Sequence, residues 1–229
     1  MFGLDSWIAS FSDGATLALV CLVATVLGLR HATDPDHLAA VSTLIAGTRE
    51  RATGAAARLG LSWGLGHAST LFAFGLPIVL FQRYLPHAAE QGAEAAVGVV
   101  IALLAVSLLV RWRRGQLQLH AHVHPPRRAR TPMQAFAIGL VHGMGGSAGV
   151  GVLLLAAIHD RALAIAALAL FAACTALSMA LLSSGLGFTL GRARVRRVFP
   201  AAAPVLGLLS LAFGVWYALG ALNVTPYYF

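Results

Sequence analysis

His31, Asp34, Asp36 and His37 fall within seven residues of one another, in the run GLRHATDPDHLAAV at positions 28–41. Imidazole nitrogens and carboxylate oxygens are the donors that suit divalent first-row metals. Arg30 adjoins them. Their setting makes them informative, because residues 15–47 are otherwise apolar and belong in a bilayer. An ionisable group at bilayer depth costs roughly 2.5–3.5 kcal/mol, and it persists where it faces a protein interior or a watery path and has partners. The first expectation is an intramembrane site for a metal cation.

The elements that must position these residues are legible in composition. The 229 residues are 59% hydrophobic and only 10% charged, with mean hydropathy +0.80, against about 25% charged in soluble domains. Six apolar segments can each cross a bilayer: 15–47 with a break, 59–81, 92–110, 133–158, 162–190 and 200–222. No alternation of the membrane β-barrel kind occurs, so the expected fold is all-α and polytopic, one transmembrane domain over residues 1–229. No basic residue precedes Arg30, as a cleaved secretory leader would require, so the amino terminus is expected to be retained.

The net charge of +8 reports topology rather than nucleic-acid binding. All sixteen basic residues are arginine, and thirteen of them lie in three segments, 48–58, 111–132 and 191–199. Asp5, Asp13, Glu90, Glu94 and Asp160 lie in the alternating segments. Under the positive-inside rule the arginine-rich loops face the cytoplasm, which gives six spans with both termini outside. Cys21 and Cys174 lie inside spans with no zinc or redox spacing, and read as small packing residues.

Residues 15–47 would run about 50 Å as one helix, while the hydrocarbon core is about 30 Å thick. Asp34-Pro35 marks the break: proline lacks an amide proton and disfavours helix at the residue before it. Asp34 is then the cap of a second half-helix starting at Pro35, with His37 in its first turn. The first half-helix ends near Arg30 or His31 with free carbonyls, and the unwound turn lets His31, Asp36 and His37 converge. Broken helices at mid-membrane are where transporters bind ions.

The polar segment 111–132 divides the spans three and three, into pseudo-halves 15–110 and 133–222. Gly28-Leu29-Arg30-His31 has a counterpart in Gly139-Leu140-Val141-His142, and the Gly98 region resembles the Gly207 region. Three spans per half make this a candidate 3+3 inverted repeat.

Three further groups of histidines bear on the site. His67 stands among Gly64, Gly66, Ser69 and Thr70, small residues that admit close helix approach. His142 precedes GMGGSAG, whose glycines form a flat face suited to packing on the broken helix. His142 and Asp34 are secondary ligand candidates. His120, His122 and His124 alternate in the basic loop and are weak metal contacts.

His31-x4-Asp36-His37 resembles the HX4DH signature of the nickel/cobalt transporter (NiCoT) family and its shorter urease-accessory relatives. Leu65-Gly66-His67-Ala68-Ser69 is similar to the family's second motif, and Gly139–Gly143 to the glycine-rich fourth span of the shorter members. The resemblance implies secondary transport of Ni²⁺ or Co²⁺, carried as substrate with no prosthetic group, and matches His31, Asp36, His37 and His67 to functional positions. The signature lies in the first of six spans, which fits the shorter branch.

Two other functions compete with this one. An intramembrane metalloenzyme would need HExxH or denser histidine boxes, and no glutamate lies in a span core, so no enzyme is expected. Export of an organic or oxyanion solute would use Arg30 and half-helix amino ends, and Asp34 and Asp36 would repel such cargo. No Walker A pattern occurs. The expected partners are the ion, the lipid of the cytoplasmic membrane and metal-handling proteins.

Overall fold

The computed structural model describes residues 2–46, 53–81, 86–117, 131–145, 158 and 160–226. Every regular element among them is a helix: α1 (Phe2–His31), α2 (Pro35–Ala46), α3 (Thr53–Phe81), α4 (His87–Arg113), α5 (Pro132–His142), α6 (Arg161–Gly191) and α7 (Ala193–Ala221).

Local chemistry sets their ends. Thr131 and Gln134 form a reciprocal capping box at the start of α5, with Pro132 in its first turn. The Asp160 carboxylate accepts from the Leu163 amide at 3.0 Å to open α6. α4 ends before Gly115, whose φ of +67° a side chain would disfavour. A single extended residue, Arg192, separates α6 from α7. The segment 191–199, expected as a loop, is therefore helical from Ala193 onward.

α3, α4, α6 and the Arg197–Ala221 part of α7 are each long and apolar enough to cross a membrane. Leu17–His31 and Pro35–Ile45 make a fifth candidate, a pair bent by 50°. The expected span 133–158 is represented by the eleven residues of α5, with 146–157 outside the described residues. Six spans were expected, and the described helices account for four or five.

Polarity is distributed as a bilayer demands. Leu19, Leu22, Leu103, Leu181 and Leu209 are at least 60% exposed, while His31, Asp36, His37, His67 and His142 are at most 3% exposed. The interior is the polar side. α3 packs on α5 and α6, α1 on α6, and α4 on α7. Gly139 lets α5 lie on α3: a Cβ there would overlap the Trp63 carbonyl and stand 2.9 Å from the His67 amide nitrogen. Gly139 and Gly143 thus meet α3 and Gly145 meets Val97 of α4, not the broken helix as expected from sequence, while Gly146 and Gly149 lie outside the described residues. Gly28 gives α1 the same approach to α6, since a Cβ there would stand only 2.6 Å from the Phe171 carbonyl oxygen.

Candidate metal site

The site begins at the break. α1 ends at His31 and α2 begins at Pro35, with the Leu38 amide bonding the Asp34 carbonyl at 3.0 Å. Asp34 is the residue at which the second half-helix starts, as the Asp-Pro pair predicts. The carbonyls that end α1 are not free, contrary to expectation. Ser178 of α6 donates to the Leu29 carbonyl at 2.8 Å. The Thr33 hydroxyl and amide donate to the Arg30 carbonyl at 2.6 and 2.8 Å, and the Asp34 amide to that of His31 at 3.1 Å. Side chains, rather than these carbonyls, supply the donors of the site.

Those side chains converge from four helices. The His31 and His67 Nε2 atoms lie 3.1 Å apart, and the His31 ring stands 4.5 Å from that of His37. Asp36 holds His37 through Oδ1 and Nδ1 at 3.0 Å, and its Oδ2 lies 3.3 Å from His142 Nε2. His142 thus enters from the end of α5, although 106 positions separate it from Asp36 (142 less 36). Two triads result, His31–His37–His67 and Asp36–His37–His142, each with one ligand atom per residue and all within 4.8 Å. His31 and Asp36 do not share a triad; His37 stands between them.

The donor set fits a divalent cation. Metal–nitrogen bonds of about 2.0–2.1 Å place neighbouring ligand atoms about 2.9–3.4 Å apart, the spacing of His31–His67 and of Asp36–His142. His37 Nε2, His67 Nδ1 and His142 Nδ1 are buried without hydrogen-bond partners, an arrangement costly to leave unsatisfied.

Asp34 stands outside the triads and accepts from His31 Nδ1 at 3.0 Å. Arg30 lies 3.6 Å from Asp34, and its side chain is 70% exposed. It is the counter-charge of that carboxylate, directed away from the triads. His120, His122 and His124 lie outside the described residues.

Sequence reasoning missed two residues of the surroundings. Trp63 is 1% exposed, with its ring 5.8 Å from His37 and 5.6 Å from His142. Its position one helical turn before His67 was the available signal. Ser178, which fastens the break, had no local signal, being 149 residues from Leu29.

Comparison with known proteins gives concordant findings. Residues 17–126 match the family NicO, described as high-affinity nickel-transport protein. The urease accessory protein UreH of Bacillus sp. (strain TB-90) is 28% identical over 214 residues, covering 90% of this chain and 92% of that protein. A high-affinity nickel transport protein of Cupriavidus necator is 34% identical over 116 residues, covering 48% of this chain and 31% of that protein. No solved structure matches the chain.

Proposed function

Residues 17–126 match the NicO nickel-transport family, and from that match we propose that the chain is a secondary transporter carrying a divalent transition metal across a membrane. Nickel is the substrate the family indicates, and cobalt is proposed as a second because the same imidazole and carboxylate donors suit it. The family is one of transporters, not enzymes.

The observation that carries the reading is the buried convergence of His31, Asp36, His37 and His67 at a helix break, inside a bundle whose outer surface is apolar. These four are the proposed ligands, with Asp34 and His142 beside them. Asp36 at the centre disfavours an anionic cargo by repulsion. We place the protein in the cytoplasmic membrane with segments 48–58, 111–132 and 191–199 on the cytoplasmic side. Metal-handling proteins are its proposed protein partners. The single transmembrane domain is proposed to consist of inverted halves, 15–110 and 133–222.

Radioactive nickel and cobalt fluxes in intact cells test this. Expression should change the flux, and His37→Ala should return it to that of cells lacking the protein while the variant remains inserted. Full activity in His37→Ala would falsify the assignment.

A further inference from the structure

The buried donors fall into two groups, not one. His31, His37 and His67 form an all-imidazole triad; Asp36, His37 and His142 form one that carries a carboxylate; His37 alone belongs to both. Its Nδ1 lies 3.0 Å from Asp36, and its buried Nε2 has no hydrogen-bond partner. We propose that these are two stations of one ion path, between which the cation passes without ever leaving His37. The proposal deepens the nickel-transport reading and rests on it.

The contact with Asp34 orders the two stations. The Arg30 side chain is 70% exposed and that of Asp34 14%, whereas both stations are buried, His31 and Asp36 alike at 3%. Asp34 touches the imidazole station through His31 at 3.0 Å. Trp63 stands instead against the rings of His37 and His142, a buried indole walling the carboxylate station. An ion arriving past Asp34 meets the imidazoles first and the Asp36 carboxylate second.

The chemistry gives the order a purpose. Three neutral imidazoles leave the full charge of a dication uncompensated, while Asp36 offsets part of it at the second station. Conduction needs sites attractive enough to enter and divided enough to leave. A shared ligand joining two partial sites meets both demands, because a neighbouring donor set is already in place when the ion lets go of the first.

The test uses the purified full-length protein, nickel binding at equilibrium, nickel X-ray absorption to count imidazoles, and flux in proteoliposomes. His142→Gln should still bind one ion, now held by three imidazoles, with flux reduced at least tenfold. His67→Gln should bind one ion through two imidazoles and a carboxylate, with a similar reduction. Should His142→Gln fail to fold, Asp36→Asn reports on the same station. Loss of binding in either single-station variant that remains folded would mean one indivisible site and overturn the proposal. Undiminished flux in His142→Gln would do the same. A wild-type protein that binds neither nickel nor cobalt would overturn the transport reading itself.

Discussion

At the scale of single residues, one carboxylate beside the site, Asp34, does not itself need to touch the cargo. A histidine that ligates through Nε2 carries its proton on Nδ1, and a carboxylate accepting that proton fixes the tautomer and the ring. His31 is placed in this way: Nδ1 lies 3.0 Å from Asp34, and Nε2 faces His67 at 3.1 Å. Asp34→Asn keeps the shape and removes the charge. The loss of such an outer partner weakens metal binding about 10–100-fold, and that is the expected outcome for nickel affinity measured at equilibrium. Unchanged affinity would reduce Asp34 to the start of α2 and the partner of Arg30. The exposed Arg30 has no comparable role, so Arg30→Gln is expected to shift affinity far less in the same measurement.

At the scale of the helices, the break between α1 and α2 brings the donors together, and it rests on both local and distant chemistry. Pro35 supplies the local part by removing an amide and pushing Asp34 out of helical geometry. Ser178 of α6 supplies the distant part by occupying the Leu29 carbonyl at 2.8 Å. Pro35→Ala restores the missing donor and permits a continuous helix, which would draw Asp36 and His37 away from His31 and His67 without deleting a ligand. Nickel flux in proteoliposomes is expected to fall at least tenfold, with membrane insertion unchanged. Normal flux would show that α6 alone holds the bend. The contrast marks what could be read in advance. The break at Asp34-Pro35 and the motif histidines were legible because their causes lie within a few residues. The assignment of His142 to Asp36, the wall made by Trp63 and the clasp of Ser178 were not, because each is a contact between segments far apart in the chain.

At the scale of the whole molecule, the four most extensive packing pairs follow a two-fold exchange that supports the proposed inverted halves, while α4–α5 and α6–α7 have no matching pair among the described residues. Exchanging α1 with α5, α3 with α6 and α4 with α7 carries the observed packing pairs α1–α6, α3–α5, α3–α6 and α4–α7 onto themselves. The details follow suit. Gly28 approaches Phe171 and Thr175 as Gly139 approaches Trp63 and His67, the two targets differing by the same 108 positions (171 less 63, 175 less 67). The His31 ring lies 5.7 Å from Phe171, and the His142 ring 5.6 Å from Trp63. Gly98 and Gly214 are reciprocal neighbours across α4 and α7. Chemistry is not shared equally, since Thr175 stands where the other half has His67. Inversion requires an odd number of crossings in each half, and single cysteines can count them. With Cys21 and Cys174 replaced by serine, Gln116→Cys and Arg194→Cys should react with an impermeant thiol reagent only from the cytoplasmic face. Ala89→Cys, Val224→Cys and a tag ahead of Met1 should be accessible only from outside. Finding the tag and Gln116→Cys on the same face would mean an even number of crossings before the central segment. The halves would then be parallel, and the resemblance between the His31 and His142 helix ends would have another origin.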